Sequence, residues 1–165
     1  MFAKLGLVAL ASVGLSVPAQ VGRIWTFADL LKESHVAVIA SVVKTTDTGR
    51  KVPHPGLKQF PAVEMETEFE ILAVLKPGSD RAVSAGTRLV LSYYRHDWDQ
   101  WRADNPSEPG KPPPGVVNAG SALAFEPKSG PYMLFLVKTA KGFEPVSGHT
   151  FPTESVFRLQ KQGRS

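Results

Sequence analysis

The clearest pattern in the chain lies between residues 62 and 78, AVEMETEFEILAVLKPG. Val63, Met65, Thr67, Phe69 and Ile71 alternate with Glu64, Glu66, Glu68 and Glu70. Period two puts the first set on one face of a β-strand and the four carboxylates on the other. A helix, with its period of 3.6, would scatter both sets around its circumference. From Leu72 to Leu75 the run is apolar on both faces, so the strand starts half exposed and finishes buried. A bend or bulge near Leu72 accomplishes this, and long bent strands are how small barrels close. Lys76-Pro77-Gly78 ends the strand, because proline cannot donate to the ladder and glycine accepts a turn.

Residues 25–34, WTFADLLKES, predict a short helix, with Thr26 as its cap and Asp29 as the acid of a capping box. Residues 36–43, VAVIASVV, are β-branched and apolar on both faces, a strong strand signal. Residues 45–61 hold Gly, Pro and Lys and read as a loop or open hairpin. Residues 87–94, TRLVLSYY, and 131–138, PYMLFLVK, are two further strands, the second apolar on both faces and therefore central. Residues 142–146 and 156–159 are short strands on either side of a turn at Ser147-Gly148. Residues 95–128, which include NPSEPGKPPPG, read as one long irregular surface loop with polyproline character. The pattern predicts a mainly β fold, a small OB-like barrel of five to six strands with a short N-terminal helix. A β-sandwich is the rival; closure favours the barrel, since strands this apolar leave costly edges.

Composition narrows the class. The chain has 165 residues, enough for one domain, and carries 14 Gly and 14 Pro, which fits its many turns. The absence of cysteine excludes disulfides, thiol catalysis and cysteine-ligated metals. Residues 1–19 read as a secretory signal peptide: Lys4 gives the charge, residues 5–17 the apolar stretch, and Val17-Pro18-Ala19 the cleavage site. An uncleaved membrane anchor is the alternative. The expectation is an exported chain, periplasmic or extracellular, with no stable membrane span after cleavage, a single domain over residues 20–159 and a flexible tail at 160–165. The net charge is +4, but the Lys and Arg are scattered, with no stripe suited to nucleic acid.

Taken in order, DLLKESHVAVIASVV, FEILAVLKPG, GTRLVLSYY, SGPYMLFLVK and the closing FEPVSG and SVFRL form a series. This series resembles small exported bacterial proteins with the netrin-like, or tissue-inhibitor-of-metalloprotease-like, OB barrel. The resemblance covers residues 28–159 apart from the loops and implies fold more than function. The inhibitors of that superfamily chelate their target's zinc through an N-terminal cysteine, so that mechanism does not carry over to a chain without cysteine.

Candidate chemistry concentrates in residues 93–102, YYRHDWDQWR. Three readings compete. Trp98 and Trp101 can form a binding platform for a glycan or peptide, with Tyr94, Arg95, His96 and Arg102 giving direction. His96, Asp97 and Asp99 can be metal ligands, although ligands so close in sequence rarely converge without another from elsewhere. Or Trp98 and Trp101, three apart on a helical turn, can cover the barrel end as core. His54, between two prolines, reads as a solvated loop residue, and the four glutamates as a solvated face balanced by Lys or Arg on neighbouring strands. No G-x-S-x-G, H-E-x-x-H or phosphate loop is present. The reading is a non-catalytic binding or interaction module for an unidentified protein, peptide or glycan, with no metal or cofactor. A scaffold protein of the cell envelope and a small hydrolase using His96 with Asp97 or Asp99 are the alternatives.

Overall fold

The computed structural model describes residues 23–78, 83–106, 123–140 and 142–159. The expected signal segment, the proline-rich part of the long loop and the tail lie outside the described residues. Helix α1, Phe27–Glu33, opens on the expected capping box. The amide of Asp29 donates to Thr26 Oγ1 and the amide of Thr26 to Asp29 Oδ2, both at 3.1 Å. These two bonds satisfy donors that the first helical turn otherwise leaves unpaired. Leu30 points from α1 onto Ala37 and Phe135, and all three are buried.

Strands β1 (Val36–His54) and β2 (Leu57–Lys76) pair antiparallel, from Ala37↔Lys76 to His54↔Leu57. The pairing decides between the loop and the hairpin that residues 45–61 allowed. Residues 45–61 are no open loop but the outer half of a continuous hairpin arm that turns at Pro55-Gly56. The local punctuation is absorbed by pairing. Pro53 lies opposite Pro61, so the two missing N–H groups fall at a single rung of the ladder. Gly49 sits in a register shift with φ of 69°, where its freedom from a Cβ is used. In β2 the inward set Val63, Met65, Thr67, Phe69 and Ile71 is buried, as the alternation requires. Of the glutamates, 66 and 70 are exposed and Glu68 pairs with Arg88 at 2.8 Å. Glu64 departs from the solvated face: it is buried, and the Arg50 guanidinium reaches it from the arm.

Strand β3 (Arg88–His96) lies antiparallel to β2, from Ala62↔His96 to Glu70↔Arg88. Helix α2 (Trp98–Asp104) follows at once, so the stretch 95–128 is not uniformly irregular. Its Asp97 cap accepts from the amide of Gln100 at 3.1 Å. At the far side of the same stretch, Leu123 and Phe125 are buried, and the Phe125 ring meets Phe69, Tyr93 and Tyr132 at 5.0, 5.2 and 5.1 Å.

Strand β4 (Tyr132–Thr139) pairs with β1 on one side. On the other it pairs with β5 (Gly142–Pro145) and β6 (Val156–Arg158). Strand β5 meets β3 in parallel at Leu91↔Phe143. The order β1-β2-β3-β5-β4 therefore returns to β1, a closed ring of five strands with β6 alongside β4. A sandwich would leave this ring open. The barrel is filled by Val38, Val42, Phe69, Leu91, Tyr93, Leu134 and Leu136. Among the described residues no helix is long and apolar enough to cross a membrane.

Candidate functional site

The outer half of the hairpin arm folds against α2 and the turn after β5, and a second cluster of rings forms between them, outside the barrel. On β3, Tyr93 faces the barrel interior, so Tyr94 and His96 face outward, beside Glu64 and Ala62 of β2. His54, at the tip of the arm, stacks on His96 with ring centroids 4.8 Å apart and planes 21° apart. Phe60 meets His96 at 5.8 Å and stacks on Trp101 at 6.1 Å. Trp98 completes this end of the cluster, 5.0 Å from His96 and 6.2 Å from Trp101. At the other end Tyr94 meets His149 edge-on at 4.7 Å and lies 6.1 Å from His54.

Three of the four histidines thus converge, though they are far apart in sequence. His54, expected in solvent, is only 2% exposed. Its Nδ1 accepts from the Gly56 amide at 3.2 Å, which places the ring hydrogen on Nε2. Burial pushes its pKa down to about 4, and the neighbouring His96 and His149 add to the effect by like-charge repulsion. His149 Nε2 lies 3.2 Å from Glu144 Oε2. Burial raises the Tyr94 hydroxyl above its ordinary range, and Glu64 and Glu144 push the same way.

The six residues singled out from sequence fall into three environments. Trp101 and His96 are buried, at 6% and 8% exposure. Tyr94 and Trp98 are half-buried, and Arg95 and Arg102 are exposed. The expected platform of two exposed tryptophans is therefore corrected: Trp101 belongs to the packing, as the covering reading had it. Arg95 pairs with Asp47 at 2.8 Å and Arg102 with Asp99 at 2.6 Å, both at the surface. Asp97 is held below the usual carboxylate range by hydrogen bonds from Lys51 and from the Gln100 amide. Asp97 and Asp99 thus serve the helix cap and surface ion pairs. Among the described residues no group of three or more His, Asp or Glu is arranged to hold a metal ion.

A groove of about 400 Å³ runs over this cluster, between the arm and α2. Phe60, Pro53 and Pro61 form its apolar part, and Lys51, Lys58, Gln59, Gln100 and Asp104 its polar rim. Lys51 is tied to Asp97 at 2.9 Å, and the Gln100 amide group donates to Asp104 at 2.9 Å. None of the six residues singled out from sequence lines this groove: its α2 side is Gln100 and Asp104, and Trp98 and Trp101 lie behind Phe60. Sequence reasoning offered the arm as a loop or an open hairpin, but nothing local in VPHPGLKQFP announces where such a hairpin folds.

No family model, no curated protein and no solved structure matches this chain. The netrin-like resemblance therefore rests on the sequence pattern.

Proposed function

We propose that this protein is an exported, non-catalytic binding module that takes a polar chain, peptide or glycan, in the groove between the β1–β2 arm and α2. One observation carries the reading. The groove joins an apolar floor, backed by packed rings, to carboxamide and charged groups on both banks, and that combination suits a ligand with polar edges and a flat or apolar body. The floor is rigid because Phe60 is wedged among His96, Trp98 and Trp101. A preformed floor lowers the ordering cost of binding. Arg95 and Arg102 flank the region in surface ion pairs, worth little individually and easily exchanged for acidic groups on a partner.

The test is a peptide and glycan array probed with the protein beginning at Gln20, followed by titration of any hit against tryptophan emission. Binding should be saturable and perturb the emission, because Trp98 and Trp101 back the floor. Lys58→Glu combined with Gln100→Ala should weaken it at least tenfold with an unchanged melting temperature. The absence of any saturable ligand, or an affinity indifferent to both rim changes, refutes the reading. The N-terminal sequence of the secreted form tests export separately.

A further inference from the structure

The tip of the β1–β2 arm is built to move separately from the barrel. The pairing of β1 with β4 ends at Ala40↔Tyr132, and that of β2 with β3 ends at Ala62↔His96. Among the described residues no third strand joins the arm beyond these pairs, and a ribbon of two strands is marginal in water on its own. Its base is fastened. The Asp97 amide donates to the Pro61 carbonyl at 2.9 Å, and Lys51 meets the Asp97 carboxylate at 2.9 Å. The next rung outward is Pro53 opposite Pro61, where neither residue has an N–H to donate. That rung is a natural hinge for residues 52–60.

Beyond the hinge, the tip keeps its place through the His54 ring, the Phe60 ring and the close approach of Gly56 to Thr150. His54 is buried where three histidines from three elements meet. Among the described residues the titratable and charged groups around it come from every neighbour. Strand β3 supplies His96 and Tyr94, and β5 with its following turn supplies Glu144 and His149. Strand β2 supplies Glu64, and the start of α2 supplies Asp97. Each of these carboxylates is engaged: Glu144 with His149, Glu64 with Arg50 and Asp97 with Lys51. A cation on His54 would be stacked on the His96 ring and held out of water. In a detached tip the same cation is solvated.

We infer that residues 52–60 form an acid-released latch, in which protonation of His54 frees the arm tip from β3, α2 and the turn after β5 while the barrel stays closed. The sign follows from the two states. The docked ring takes its proton only near pH 4, because burial and then His96 and His149 oppose it, whereas a solvated ring takes it at the ordinary 6.5. Acid therefore favours release by tenfold per pH unit between these values, roughly 300-fold in all. The base holds through this range, since Asp97 stays ionised below the usual carboxylate range. Release carries Phe60 and Pro53 out of the groove, so acid would also dismantle the binding surface proposed above. That consequence rests on the binding reading; the release itself does not.

The test is amide hydrogen exchange, read by NMR on the chain beginning at Gln20 from pH 7 to pH 4 and corrected for intrinsic rates. Amides of residues 54–60 should exchange at least tenfold faster than those of residues 132–136 at each pH, as separate opening requires. The opening constant of the tip should rise at least a hundredfold from pH 7 to pH 4. In His54→Asn it should rise less than threefold. His54→Phe keeps a ring on His96 without a titrating nitrogen and serves where Asn loosens the tip. Equal exchange of tip and barrel, a wild-type tip indifferent to pH, or the same rise in wild type and variants would overturn the inference.

Discussion

Replacing His54 by Asn should flatten the dependence of stability on pH across the acidic range. The ring is buried against His96, with Tyr94 and His149 next in line and Gly56 donating to its Nδ1. Of the nearby carboxylates, Glu144 is engaged with His149, and Glu64 lies opposite Tyr94 and pairs with Arg50. A proton on His54 therefore enters a buried site among two other histidines. Its pKa falls from 6.5 in the unfolded chain to about 4 in the folded one. Between these values the unfolded chain binds a proton that the folded chain refuses, so stability falls as pH falls. The stabilisation is fully present above pH 6.5 and lost by about pH 4. At roughly 1.4 kcal/mol per pH unit, the loss is about 3 kcal/mol.

Asn does not titrate, and its side-chain oxygen can accept from Gly56 where Nδ1 did. Urea unfolding of wild type and His54→Asn at four pH values from 7 to 4 isolates the effect, because the carboxylates common to both cancel in the difference. The wild type should lead at pH 7, through its packing, and lose about 3 kcal/mol of that lead by pH 4. A lead that stays constant to within about 0.5 kcal/mol, the usual limit of additivity, would show that His54 is not held neutral by its surroundings.

Two further predictions concern the same region. Trp101→Ala should cost about 3–5 kcal/mol, as for a large buried aromatic, and Trp98→Ala clearly less, since Trp98 is only half-buried; thermal melts of both variants decide it, and equal melting temperatures would contradict the packing. Gly56→Ala would drive a Cβ into Thr150 Oγ1 and leave it 3.2 Å from Thr150 Cβ. It should therefore destabilise by about 1–3 kcal/mol, with partial recovery in Gly56→Ala/Thr150→Ala, and strictly additive effects would count against a contact there.

What could be read from the sequence was periodic or short-range. The alternation from Val63 to Ile71 needs only neighbours two apart, and the Thr26–Asp29 box needs only one helical turn. Both appear where the pattern put them. The apolar strands at Val36 and Tyr132 fixed the barrel's core, and closure followed from their need for partners on both sides. The arm was legible only as one of two alternatives, a loop or an open hairpin, for the opposite reason. Gly49, Pro53, Pro55, Gly56 and Pro61 are local breakers, and only the facing strand shows that one sits in a register shift, two oppose each other and two make the turn. Leu123 and Phe125 were hidden likewise, as two apolar residues beyond a proline-rich run whose place in the barrel depends on the whole ring being closed.

The same arm creates the candidate site. Had residues 45–61 formed an open loop, His54 would titrate in water, Phe60 would have no ring to stack on, and α2 would face solvent across no groove. The arm is held at its base by Arg50 on Glu64 and at its tip by the close approach of Gly56 to Thr150. Between these points Lys51 meets Asp97, the cap of α2. Each tie joins the arm to a different element: β2, the turn after β5, and α2. The groove's width is therefore set by long-range contacts rather than by the arm's own sequence. A substitution at the Gly56–Thr150 contact, remote from the rim, should then move His54, and with it the floor beneath the groove, before it disturbs the barrel.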